Sequence, residues 1–384
     1  MNQLFLFTLF YRDERYNVKE FPKTDKTCQP RNTIVFHKTH KCSSTTIQNI
    51  LLRYGFKNKL NIALPYKGNF LGSPNGFTAS SLNNTHWYQA GMTPQLFCLH
   101  NRWNAKEVQK LMDKNEEKPF YFTILRDPVE IFISMWDYYE VSRKLFDDKL
   151  NIETFALNIE TSDYNMTLLD VHLRNTMLYD FGMAIEDLEI EQKVEEKIKE
   201  IEGVFDLVLM VEHFDVSMVL LKNELCWPNY EDLVSLKLNV RDDHSKSSVS
   251  EKAREKLKSW LSSDYKLYYH FYHKFLQKVK HFGTVEQLQS ELQDYQKLQL
   301  LTKEKCQLRY LKSKYVLDKI DRPWGAGIKP YTVVNPDKDC QLMGMQELKF
   351  IKYMRILQTQ KARDIMETNH VSYVTSRNTD TTKG

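Results

Sequence analysis

The sequence predicts a three-layer α/β fold, with a central, mainly parallel sheet and additional C-terminal helices. Three observations lead there. Short β-branched or aromatic runs at residues 33–37, 95–100, 120–125 and 205–211 alternate with segments of helical spacing. The run 120–125 (FYFTIL) is nearly all apolar, as a strand buried on both faces requires. A chain of 384 residues is long enough to bury a sizeable core, and it contains no internal repeat.

Taken in order, the elements place the chemistry. Residues 33–37 (TIVFH) form a strand, residues 38–43 a loop, and residues 45–54 a helix with Ile47, Ile50, Leu51 and Tyr54 on one face. Residues 61–95 are loop-rich, punctuated by Gly68, Gly72, Pro74, Gly76 and Pro94. A strand over 95–100 leads to Asn104, a capping residue for a helix to about Met112. The strand 120–125 runs into Arg126-Asp127-Pro128, where proline suits the first position of a helix. A charged helix over 184–202 and a strand over 205–211 precede a helix over about 215–225. Residues 250–305 are helical with a break near Phe282-Gly283, and the polar stretch 366–384 is expected to be disordered.

Composition excludes several classes. A formal charge of +4 and the lack of a long basic run argue against a nucleic-acid partner. The six cysteines stand at 28, 42, 98, 226, 306 and 340 with no Cys-x-x-Cys spacing, so no zinc ribbon or thioredoxin-type site is expected. They allow fifteen pairings, and spacing does not choose among them. Asn83 and Asn165 head glycosylation sequons. The apolar run 4–10 is far short of the about 20 residues that cross a membrane.

In a parallel sheet, ligands sit at the carboxyl ends of the strands, and three loops there are chemically loaded. The first reads Lys38-Thr39-His40-Lys41-Cys42-Ser43-Ser44-Thr45-Thr46, placing lysines, a histidine and hydroxyls where a helix begins. Free main-chain N–H groups at that helix start make it an anion cradle; the plain alternative is a solvated basic turn with a Ser/Thr cap. No glycine is present, so it is not a Walker A loop. The second loop offers Arg126, a fork for a phosphate, with Ser134 further along the helix; an Arg126–Asp127 structural pair is the alternative. The third carries His100, which shares a sheet edge with His40 if it is not simply structural. Histidine suits general-base work near neutral pH, and His40 and His100 both qualify.

Together these segments resemble the galactose-3-O-sulfotransferase family. The likeness lies in Phe36-His37-Lys38-Thr39-His40-Lys41-Cys42-Ser43-Ser44-Thr45-Thr46, in Ile47-Gln48-Asn49-Ile50-Leu51-Leu52-Arg53-Tyr54-Gly55, and in residues 120–129 followed by Ser134, Trp136 and Tyr138. Arg174-Asn175, Asp180-Phe181-Gly182, residues 212–227 and Arg322-Pro323-Trp324 are similar too.

The resemblance implies a P-loop-like α/β sulfotransferase domain over residues 28–335, an N-terminal stem or anchor remnant at 1–27, and a C-terminal extension over 336–384. It implies 3′-phosphoadenosine 5′-phosphosulfate as sulfuryl donor, with no metal required. Lys41, Cys42, Ser43, Ser44, Thr45 and Thr46 would bind the phosphosulfate end, and Arg126 and Ser134 the 3′-phosphate. Lys41 would stabilise the leaving phosphate, with Lys38 a second candidate for that task. The implied acceptor is the 3-hydroxyl of a terminal β-galactose on a glycolipid or glycan, and the implied location is the Golgi membrane with a lumenal catalytic domain. Trp87, Trp103 and Trp136 are candidates to stack on the sugar, against ordinary core packing. The rival readings are a sulfotransferase acting on a glycosaminoglycan or other carbohydrate, and a nucleotide-dependent kinase.

Overall fold

The computed structural model describes residues 28–72, 74–160, 173–238, 247–323 and 327–380. The expected stem at 1–27, the Asn165 sequon and Trp324 lie outside them.

Four strands form one parallel sheet: β1 (Ile34–His37), β2 (Leu96–Phe97), β3 (Phe120–Leu125) and β4 (Leu207–Met210), in the order β2-β1-β3-β4. All are fully buried because helices cover both faces, which accounts for their near-continuous apolar sequence. The helix α1 (Ser44–Lys57) follows β1, α2 (Ala105–Met112) follows β2, α3 (Pro128–Tyr138) follows β3, and α4 (Glu191–Val204) precedes β4. Asn104 caps α2, accepting from the Glu107 N–H, and Asp127 caps α3, accepting from Val129 and Glu130. The order places β1 beside both β2 and β3. The crevice at the switch in strand order therefore opens where the loops after β1 and β3 leave the sheet.

Behind β4 run α5 (Phe214–Glu224), α6 (Glu251–Trp260), α7 (Ser262–Lys280) and α8 (Val285–Cys306). The break expected at Phe282-Gly283 separates α7 from α8, and a Thr284–Gln287 capping box restarts the helix. An antiparallel pair, β5 (Leu308–Tyr310) and β6 (Tyr331–Val333), was not anticipated; its strands are three residues each, too short for a periodic signal.

The segment after residue 335 is continuous with the domain. It holds α9 (Lys338–Met343) and α10 (Glu347–Asp380), so helix continues through most of 366–384, the stretch expected to be disordered. Phe350, Ile351 and Ala362 of α10 are fully buried, and packing of this face holds the N-terminal half of the helix on the domain. Gln358 acts as an extra rung: its Oε1 accepts from the Ile62 N–H and its Nε2 donates to the Ile62 carbonyl, both at 2.8 Å. Disulfides Cys28–Cys226 and Cys306–Cys340 staple the two ends of the domain, while Cys42 and Cys98 are buried thiols. Among the described residues no helix is long and apolar enough to cross a membrane.

Candidate active site

The loop after β1 turns without glycine. Lys41 and Ser43 take left-handed φ of 56° and 53°, a conformation that non-glycine residues adopt only where the surroundings enforce it. Four contacts enforce it here. Thr39 donates from Oγ1 to the Ile124 carbonyl at 2.7 Å, and Ser44 Oγ donates to the Thr39 carbonyl. Cys42 Sγ donates to the His40 carbonyl at 3.1 Å, and Arg126 Nη1 donates to the Lys41 carbonyl at 3.2 Å. The alternation of left-handed residues curls the main-chain N–H groups around the start of α1, the concavity that binds anions.

The loop residues therefore divide. Ser43 is exposed, Thr45 and Thr46 are half-buried, and all three stand at the helix start. Cys42 and Ser44 are buried and bonded to the loop itself, so they shape the cradle with their side chains and can offer an anion only their main chain. Burial pushes the Cys42 thiol up to about 12, which keeps it protonated and removes it as a nucleophile.

Lysines 38 and 41 part company. The Lys38 ammonium is wholly buried, 2.7 Å from Gln48 Oε1 and 2.8 Å from Glu347 Oε2. Burial lowers its pKa, and the Glu347 carboxylate opposes that shift. Lys38 is thus held in an interior pair with Glu347. Lys41 stands at the crevice with its Nζ 3.6 Å from the centre of the Tyr138 ring.

His40 and His100 do come together, stacked at 4.8 Å with 24° between their planes. They are not equivalent. The Asp180 carboxylate accepts from the His40 main-chain N–H at 2.8 Å and lies 2.8 Å from Nδ1. A carboxylate at Nδ1 holds the ring proton there and leaves Nε2 as the basic atom. His100 Nδ1 is sealed without a hydrogen-bond partner among the described residues, and burial holds this imidazole well below the usual histidine range.

Asp180 is where a family-like tripeptide acquires a physical meaning. Asp180 ends a short helix, Thr176–Asp180, whose first N–H groups, Met177 and Leu178, donate to the buried Asp264 carboxylate. Phe181 packs on His37 with ring centres 4.6 Å apart. Gly182 has φ of 84°, and a Cβ there would stand 2.2 Å from the Trp103 carbonyl oxygen, so only glycine fits.

His37 itself is completely buried between Phe181 and Trp103, and neither ring nitrogen has a partner among the described residues. Burial lowers its pKa from 6.5 to about 4. The unfolded chain then binds more protons between those values, so this histidine supports stability above pH 6.5 and loses that support as pH falls toward 4. A shift of this size is worth roughly 3 kcal/mol. Asp264, raised to about 7 by burial, tilts much of the same window the other way. The difference between wild type and His37→Leu isolates the histidine: in urea melts at stepped pH the wild type should lose ground to the variant below pH 6.5, and parallel curves would contradict the account.

Arg126 and Ser134 are brought to the same side of the crevice by β3 and α3. Arg126 leaves β3, bonds the Lys41 carbonyl and lies 3.5 Å from Glu130. Glu130, Ser134 and Tyr138 follow at spacing four, so one face of α3 leads from Arg126 to the ring under Lys41. Arg254 of α6 bonds the other Glu130 oxygen at 2.7 Å, a second guanidinium that sequence reading missed because it lies far along the chain. The three tryptophans turn out to be core residues: Trp87, Trp103 and Trp136 are at most 4% exposed. Among the described residues no cluster of metal ligands occurs.

The arrangement is that of an α/β domain with a candidate anion cradle after β1 and an oriented histidine beside it. The chain belongs to the galactose-3-O-sulfotransferase family, whose model matches residues 9–349. It is 37% identical over 262 residues to human galactosylceramide sulfotransferase, a match that covers 67% of this chain and 60% of that relative. It is 32% identical over 360 residues to mouse galactose-3-O-sulfotransferase 2, covering 87% of each. The chain spans about 60% of the length of several of the curated relatives it matches. A crystal structure of a sulfotransferase from Alicyclobacillus acidocaldarius superposes with a TM-score of 0.33 at 14% identity, over 68% of this chain and 99% of that one.

Proposed function

We propose that this chain transfers a sulfuryl group from 3′-phosphoadenosine 5′-phosphosulfate to the 3-hydroxyl of a terminal β-galactose on a glycolipid or glycan. Membership of the family supports the class of reaction. The observation that carries the reading is the His40–Asp180 pair set against the left-handed loop 38–43.

The residues present fit such a donor. Its two anionic ends match two cationic places: the helix start with Lys41, and the Arg126–Ser134 face of α3, which Arg254 flanks. The donor supplies the sulfuryl group, and the chain's own work is positioning, proton removal and charge neutralisation. His40 Nε2 takes the proton of the acceptor hydroxyl, while Asp180 fixes the tautomer and steadies the imidazolium that forms. Lys41 and the main-chain N–H groups of Ser43 to Thr45 stabilise negative charge on the departing phosphate oxygen. His100, held neutral, backs the His40 ring instead of competing for the proton.

The proposed setting is the Golgi membrane with the catalytic domain in the lumen, attached through the N-terminal segment. The two disulfides fit an oxidising compartment.

Radiolabelled donor offered with galactosylceramide, a β-galactosyl glycan and heparan chains tests the acceptor. Label on the galactosides at O3 is expected; label on the polysaccharide alone would overturn the choice of acceptor. Calorimetry comparing adenosine 3′,5′-bisphosphate with ATP tests the donor, and preference for ATP would favour the kinase reading.

A further inference from the structure

Phe70 leaves 44% of its surface in solvent although its ring is firmly placed. The ring stacks on His100 at 5.2 Å with 19° between planes, and His100 in turn stacks on His40. The backbone around it is fastened on both sides. Residue 70 makes a parallel β-bridge with His100, and the Leu71 N–H donates to the His100 carbonyl at 2.7 Å. On the other side, Asn69 Nδ2 donates to Glu347 Oε1 at 3.0 Å. A large apolar ring held still, with one face on a histidine and the rest in water, is a platform awaiting a flat apolar partner. It stands two ring-to-ring steps from the proposed base, and the three tryptophans that were candidates for this role are buried elsewhere.

We infer that Phe70 is the sugar-stacking platform of the acceptor site, taking the apolar face of a terminal β-galactose. In that sugar the axial 4-hydroxyl leaves the hydrogens on C3, C4 and C5 together on one face, and these can lie against an aromatic ring. Stacking there binds the sugar at the open end of a ring series, Phe70–His100–His40, that leads to the proposed base. The inference rests on the proposed function for the identity of the sugar.

The test uses the full chain and three variants: Phe70→Ala, Phe70→Leu, which keeps apolar bulk without the flat ring, and Phe70→Trp. Initial rates are measured against acceptor and donor separately, and saturation-transfer NMR is recorded with methyl β-galactoside. The alanine and leucine variants should raise the acceptor KM about tenfold or more and leave the donor KM within about twofold. They should also lose saturation transfer to H3, H4 and H5, while the tryptophan variant keeps both properties. An unchanged acceptor KM in the alanine and leucine variants would overturn the assignment. So would equal rises in both KM values, which would mark Phe70 as mere support for His100. If the wild type sulfates no galactoside, the proposed function fails by itself, and the NMR comparison still decides whether a galactoside rests on Phe70.

Discussion

Asp180→Asn is expected to lower kcat by about 10²–10⁴-fold, some 3–5 kcal/mol of transition-state stabilisation, with the donor KM changed only a few-fold. The reason lies in what an amide can and cannot copy. Asparagine can still accept from the His40 main-chain N–H, the bond that helps hold the loop. At Nδ1, however, its NH2 group is a donor, so the ring presents its lone pair there and carries its proton on Nε2. The base is then blocked by its own proton while the geometry survives. His40→Ala should cost at least as much, and the double variant should be no slower than His40→Ala, because two residues acting as one unit are not additive. Thermal melts separate this from misfolding, since Asp180 is buried. An Asp180→Asn enzyme with more than about a third of wild-type kcat would remove the His40–Asp180 pair from the chemistry and move attention to His100.

How far the sequence led is clearest at the two ends of this pair. His40 was legible because it lies in a strand–loop–helix unit whose periodicity and composition are local. The strand 120–125 and the Asn104 cap were legible for the same reason. Asp180 belonged to a matching tripeptide but had no role assigned, because a contact across 140 residues has no local signature. Phe70 lies in a stretch whose glycines and prolines read only as loop, and its value comes from a β-bridge to His100. The tryptophans misled for a plain physical reason. Aromatic size favours burial as much as it favours stacking on a ligand, and composition cannot separate the two. Glu347 was invisible for a further reason: the domain was expected to end near 335, whereas α10 packs back through Phe350 and Ile351 and delivers this carboxylate to the loop.

That carboxylate underlies the second large effect. Lys38→Met should destabilise the domain by about 3–5 kcal/mol, because it leaves Glu347 charged in a place built for a pair. Glu347→Gln alone should also destabilise, since the Lys38 ammonium has no exposed surface and would keep only neutral acceptors such as Gln48 Oε1. Combining the two removes both charges at once, and the amide oxygen introduced by Glu347→Gln can still accept the bond from Asn69. The double variant should therefore recover most of the lost stability, with a coupling of about 2–3 kcal/mol in a double-mutant cycle read by urea melts. Its turnover decides what Lys38 is for. A lysine that only ties α10 to the loop can be replaced once its partner is neutral, so kcat in the double variant should stay within about tenfold of wild type. A lysine that stabilises the departing phosphate cannot be replaced, and a well-folded but inactive double variant would return Lys38 to the catalytic group beside Lys41. The burial of its ammonium, with Glu347 on one side and Gln48 on the other, argues for the first outcome.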